Sequence, residues 1–166
     1  MAHRFTVTAT IDGLSFEEFR KVVSDPKFHE GVSEHIPGTN KQILVSEIKG
    51  DIYTLKREYN LDINIPDIAK KLLKDAFRIR REDQFNFEQF TSTVDLGSNS
   101  LPLVAHCDRK IEANGNQLNF TMHWEIKIKV PLIGGMLEKH AEGEVRKFTA
   151  LELEVIEKQA KAYLNK

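Results

Sequence analysis

The segment from Leu118 to Val130 alternates without a fault, and this constrains the chain more than any other feature. Leu118, Phe120, Met122, Trp124, Ile126, Ile128 and Val130 take every second position, against Gln117, Asn119, Thr121, His123, Glu125, Lys127 and Lys129. Side chains of a strand point alternately to opposite faces, so this pattern specifies one buried face and one wet face. A slip of one residue would invert it. Pro131-Leu132-Ile133-Gly134-Gly135 ends the strand, and from Met136 to Leu164 only Gly143 interrupts helix-compatible residues. At 1.5 Å per residue such a helix is about 40 Å long. At about 100° per residue, Leu137, Ala141, Val145, Phe148, Leu151, Val155 and Ala162 fall on one stripe. A one-faced sheet and a one-faced helix of that length bury each other by packing face to face.

The rest of the chain supplies the other strands. Phe5, Val7, Ala9 and Ile11 alternate with Arg4, Thr6, Thr8 and Thr10 as a half-buried strand that ends at Asp12-Gly13. Ser15 and Glu18 have capping-box spacing ahead of Phe19, Val22 and Val23. Asp25-Pro26 stops that helix, and a second short one is predicted over Lys27 to His35. Strands follow at Lys41–Lys49 and Ile52–Leu61, joined at Gly50-Asp51. Pro66-Asp67 opens a helical insertion near residues 66–77, with Ile68, Leu72, Leu73 and Ala76 at helical spacing. Residues Ile79 to Leu96 read as one or two strands with Phe85 and Phe87 inward. Leu103–Glu112 is another strand, closed by Asn114-Gly115.

Length and charge bound the function. A chain of 166 residues suits one domain, 1–166. With 24 basic and 25 acidic side chains the formal charge is -1, which leaves no electrostatic footprint for nucleic acid. The run Arg78-Ile79-Arg80-Arg81 meets Glu82 and Asp83 at once and reads as a solvated strand end. A single cysteine, Cys107, excludes an internal disulfide and a multi-thiolate zinc site. No histidine pair has metal-ligand spacing, so neither a metal nor another cofactor is expected. The N-terminus shows no apolar leader, and no stretch reaches the roughly 18 apolar residues of a membrane span. A cytoplasmic protein without integral membrane association is expected.

The order of strand, paired helices, antiparallel strands and long helix resembles the START-like, or helix-grip (SRPBCC), superfamily over nearly the whole chain. Trp124-Glu125-Ile126-Lys127-Ile128-Lys129-Val130-Pro131-Leu132-Ile133-Gly134-Gly135, with Met136-Leu137-Glu138-Lys139 after it, is similar to a bacterial branch of no assigned function. The resemblance implies an α+β fold in which a curved antiparallel sheet wraps a long C-terminal helix and encloses a hollow for an apolar molecule. Members include cyclases and aromatases as well as pure binders and carriers. The glycine-rich loop of the pollen-allergen branch is missing, since Gly50-Asp51 stands alone, so that branch's ligand habits do not transfer.

Charged residues on inward faces mark the candidate site. Arg57 lies between Leu55 and Tyr59, and Arg109 follows Cys107 on its strand. On the last helix Glu144 falls about 20° to one side of Leu137 and Glu152 about 60° to the other. Two arrangements fit: the arginines pair with the helix glutamates, or they line a cavity and hold a carboxylate or phosphate head. The predicted cavity lining is Tyr53, Leu55, Arg57, Tyr59, Phe85, Phe87, Arg109, Met122, Trp124, Glu144, Phe148 and Glu152; no catalytic residue is assigned. Three functions are open: a carrier for a hydrophobic or amphipathic small molecule, a cyclase or aromatase using Tyr59, Glu144 and Arg109, or a protein-interaction module presenting Ile65, Ile68, Leu72 and Leu73. A monomer or weak homodimer is expected.

Overall fold

A computed structural model describes residues 2–61, 65–71 and 77–166. Its elements run β1 (His3–Asp12), α1 (Phe16–Val23), α2 (Pro26–His35), β2 (Thr39–Lys49), β3 (Ile52–Asn60), α3 (Asp67–Lys70), β4 (Arg78–Asn86), β5 (Thr91–Ser98), β6 (Leu103–Asn114), β7 (Gln117–Ile128) and α4 (Gly134–Tyr163). The strands form one antiparallel sheet of seven, in the order β1-β7-β6-β5-β4-β3-β2. The fold is the expected α+β helix grip. Residues 79–96, open between one strand and two, divide into β4 and β5. The insertion is described as α3 alone, and Leu72, Leu73 and Ala76 lie outside the described residues.

The sheet face follows from the alternation. Leu118, Phe120, Met122, Trp124, Ile126 and Ile128 are all buried, and Trp124 pairs with Phe5 on β1 and Cys107 on β6. Local signals set the helices. Ser15 Oγ accepts from the Glu18 amide at 3.2 Å while Glu18 Oε1 accepts from the Ser15 amide at 3.0 Å, a reciprocal cap in which the Ser15 acceptor alone is worth about 1 kcal/mol. Asp25 Oδ1 accepts from the Lys27 amide at 3.0 Å, and Pro26 takes the first helical position, where its missing N–H costs nothing.

Helix α4 runs along β1. His3 Nε2 and Glu142 Oε1 lie 2.6 Å apart at one end, and at the other the Asp12 amide donates to Glu157 Oε1 at 2.7 Å. Its stripe is turned from the expected one. Leu151 and Ala162 are exposed, while Thr149, Glu152, Leu153 and Ala160 are buried. The reason is that α4 packs on β1, β7 and α2, so residues on its other flank meet the hollow of the sheet rather than its surface.

The molecule has two halves beneath that helix. Under α1, α2 and the C-terminal half of α4 the core is closed, and aromatic rings pack through it: Phe19 meets Phe85 and Phe120 edge-on at 6.3 and 5.7 Å, and Phe85 stacks on Phe87 at 5.9 Å. Under the N-terminal half of α4 the sheet stays open. The start of α4 is fixed by Glu138, whose buried carboxylate accepts from the Ile128 amide at 2.8 Å. Of the two glycines there, only Gly134 needs to be one. A Cβ at Gly134 would sit 2.4 Å from the Ile128 carbonyl oxygen, whereas at Gly135 it would meet nothing within 4 Å. In urea unfolding, Gly134→Ala is therefore expected to lose about 1–3 kcal/mol. Gly135→Ala is expected to keep or gain up to about 1 kcal/mol; equal effects would contradict this account of the turn.

Candidate functional site

The open half of the sheet holds a cavity of about 320 Å³ between the strands, α3 and the N-terminal half of α4, at the lower end of the roughly 300–1,000 Å³ typical of small-molecule sites. Its walls are mostly apolar: Ile79, Leu96, Leu103, Ile126 and Ile128 from the sheet, Ala69 from α3, and Phe148 from α4. Exposed Lys147 and Leu151 border it on α4, opposite Pro66 and Ala69, which places its mouth along that flank of the helix. The stripe residues Leu137, Ala141, Val145, Phe148 and Leu151 all border the cavity, Leu137 as a buried core residue and Ala141, Val145 and Phe148 as partly buried ones packed against the core.

Between cavity and closed core stands a cluster of buried charges centred on Asp83, which is 2% exposed. Its Oδ1 accepts from Arg57 Nη2 at 3.1 Å and Arg81 Nε at 2.8 Å. Its Oδ2 accepts from Arg81 Nη2 at 3.0 Å and Arg109 Nη2 at 3.1 Å. Arg81 also forks onto Glu152, with Nη1 to Oε2 at 2.9 Å and Nη2 to Oε1 at 3.0 Å. Arg109 donates through Nε to Ser92 Oγ at 2.6 Å, and its guanidinium lies 5.1 Å over the Phe85 ring. Adjacent strands deliver these groups because the register places Arg57 opposite Arg81, Asp83 opposite Val94 and Ser92 opposite Arg109, all on the inner face.

The electrostatics follow from that packing. Burial alone would raise the Asp83 carboxyl, but the Arg81, Arg57 and Arg109 guanidiniums hold it far below the ordinary carboxylate range. Glu152 behaves likewise: burial opposes its charge, and Arg81 then Arg57 restore it, leaving its pKa lowered. Burial raises the Tyr59 hydroxyl and pushes Cys107 up to about 12, which leaves that thiol unreactive. His29, buried and bonded through Nε2 to the Val23 carbonyl at 2.6 Å, is lowered by burial to about 4 and stands neutral.

Seven of the expected lining residues, Tyr59, Arg109, Met122, Trp124, Glu144, Phe148 and Glu152, meet at the cavity. The other five do not. Tyr53, Leu55, Phe85 and Phe87 belong to the closed core, because α1 and α2 press onto the turn-side ends of β3 and β4. Arg57 is screened from the cavity by the cluster and faces a polar groove beside α2 and β2. The expected pairing of Arg57 and Arg109 with helix glutamates also gives way. Both arginines bind Asp83, Glu152 binds Arg81, and Glu144 turns outward to His140 at 3.8 Å and Lys147 at 3.9 Å. The run Arg78–Arg81 is not uniformly solvated, since Arg81 is buried and alternation carries Ile79, Arg81, Asp83 and Phe85 inward together. That alternation was the signal by which the cluster's centre could have been found.

Two buried donors find no partner among the described residues, Arg57 Nε and Trp124 Nε1. Among those residues no helix is long and apolar enough to cross a membrane. Of the insertion's expected surface, Ile65 is partly buried and lines the cavity and Ile68 is half exposed, while Leu72 and Leu73 lie outside the described residues.

The sequence pattern of a family described as "Protein of unknown function (DUF2505)" matches residues 6–159. The chain belongs to the DUF2505 family. No curated protein matches it in sequence. Solved structures similar to this DUF2505 chain include a protein from Thermus thermophilus, with a TM-score of 0.68 and 11% identity over 97% of this chain and 99% of that one. The Zhui aromatase/cyclase from Streptomyces sp. R1128 gives 0.67 and 8%, over 99% and 96% of the two chains. A START superfamily protein from Mycobacterium smegmatis gives 0.61 and 16%, over 97% and 99%. At such identities the likeness establishes the START-like fold of this DUF2505 member.

The Asp83 cluster sets a stability test. Replacing Asp83 by Asn leaves three buried guanidiniums without their shared anion, so the unfolding free energy in urea at pH 7 is expected to fall by about 3–5 kcal/mol. Because the folded pKa of Asp83 lies below its ordinary 3.8, its contribution is present above that value and is lost as pH falls beneath it. The gap between the two proteins should thus narrow as pH drops below about 4; a gap that is small at pH 7, or grows in acid, would contradict the assignment.

Proposed function

We propose that this protein binds and carries a hydrophobic or amphipathic small molecule in the cavity beneath the N-terminal half of α4. The observation that carries this reading is the contrast between the two halves of one inner face. One half is packed solid with rings, and the other keeps an apolar space with a mouth beside Leu151. Mostly apolar cavities of this size take up apolar guests. The START-like fold of the structural relatives supports it. Carrier function fits the chemistry better than catalysis, because the carboxylates at the inner end are committed to guanidiniums. Both oxygens of Asp83 and of Glu152 already accept from guanidiniums, and the raised Tyr59 hydroxyl is a poor base.

A second reading, an enzyme of the cyclase or aromatase type, draws on the Zhui relative and on Tyr59, Arg109 and Glu144 all lining the cavity. It differs in one outcome, since a carrier returns its guest chemically unchanged.

Trp124 is the only tryptophan and lines the cavity, so it reports occupancy directly. Titration with N-phenyl-1-naphthylamine, a neutral apolar probe, is expected to be saturable at one site with a micromolar Kd, quenching Trp124. Ala141→Phe, which fills the cavity from α4, should weaken binding by about tenfold or more, equal to about 1.4 kcal/mol, while the circular dichroism stays that of the parent. Binding that is unsaturable, or indifferent to Ala141→Phe, would overturn the carrier reading.

A further inference from the structure

Three features of the inner end of the cavity converge on the chemistry of its guest. The first is Trp124. It is 7% exposed, and its Nε1 donates to no described residue. An indole N–H can only donate, and a buried donor left unmet costs about 1–3 kcal/mol. What completes it is an acceptor.

The second is Arg109. Its Nε and Nη2 are committed to Ser92 and Asp83 and the residue lines the cavity, so Nη1 is the nitrogen that neither of those bonds takes. Arg109 stands opposite Met122, and Cys107 stands opposite Trp124. Arg109 and Trp124 are therefore diagonal neighbours on one face, roughly 7–8 Å apart at the backbone and within reach of one small head group.

The third is the charge. Arg57, Arg81 and Arg109 carry +3, Asp83 and Glu152 carry -2, and the sum for these five clustered side chains is +1. The remaining carboxylate of the lining, Glu144, sits further out and is answered by His140 and Lys147 at 3.8 and 3.9 Å. The cluster borders the cavity through Arg81 and Arg109, so its net positive charge favours an anion on that side. A cation is repelled there, and a neutral head leaves the surplus in place.

We propose that the cavity takes a singly charged amphiphile of the alkyl carboxylate class, bound head inward. Its carboxylate accepts from Trp124 Nε1 and Arg109 Nη1, and its chain runs outward between Leu96 and Phe148 toward the mouth beside Leu151. This rests on the carrier reading and adds to it the charge, the orientation and the residue that recognises the head.

The test uses the whole protein and displacement of N-phenyl-1-naphthylamine at pH 8 by two guests of equal chain length, decanoate and decan-1-ol. Decanoate is expected to bind about tenfold or more tightly than the alcohol. Trp124→Phe keeps an aromatic ring and removes the donor, and because it also removes the tryptophan the displacement is followed by the probe's own fluorescence. It should weaken decanoate about tenfold while changing the alcohol less than about threefold. Equal affinity of the two guests for the unmodified protein overturns the proposal, whatever the variant does, and so does a Trp124→Phe loss shared alike by both. In either case the probe still binds and the carrier reading stands. If the probe itself fails to bind, both fall together.

Discussion

Asp83 holds three arginines that approach from three strands, and one of those arginines grips the long helix through Glu152. Few other arrangements would let β3, β4 and β6 keep their inward register and still place guanidiniums at the centre of the sheet. Without the shared carboxylate, each arginine would be an unanswered charge in an apolar setting. With it, five long, hydrogen-bonded side chains stand in the middle of the inner face and cannot collapse as aliphatic groups do. They form a partition. On one side α1 and α2 press aromatic rings into a closed core; on the other the helix spans a space that nothing fills.

That partition joins fold to function. A START-like sheet around a helix encloses some hollow by its curvature, but where the hollow ends is decided by side chains. In this molecule it ends on a polar floor that carries a surplus positive charge and an unanswered indole N–H, while its walls are aliphatic. A space whose walls are aliphatic and whose base is polar gives an amphiphile one preferred direction. Glu144, His140 and Lys147 at the outer end balance one another and add no competing pull.

Much of this was legible in the residues. The seven-fold alternation from Leu118 to Val130 dictated the inner face, and the Ser15–Glu18 capping box and the Asp25-Pro26 stop placed the short helices to within a residue or two. Buried charge was also visible at Arg57, Arg109 and Glu152, because each interrupts an apolar face. The partner was harder to read. Asp83 lies in a segment where charges stand on both faces, Arg80 and Glu82 outward, Arg81 and Asp83 inward, so the apolar signal that fixes phase elsewhere was diluted. The rotation of α4 was hidden for a different reason. A helix that packs on one sheet edge and borders a cavity with its flank needs two apolar stripes, and periodicity alone merges them into one.

The central claim is that an empty apolar space and a solid core share one inner face, divided by the Asp83 cluster. Methyl-resolved NMR under xenon pressure tests it most directly, because xenon enters dry apolar cavities without chemical preference. Shifts should be confined to Ile79, Leu96, Leu103, Ile128 and Leu137, leaving Ile11, Val22, Val32 and Leu118 in the closed half unmoved. Perturbations spread evenly over both halves, or none in either, would contradict the account.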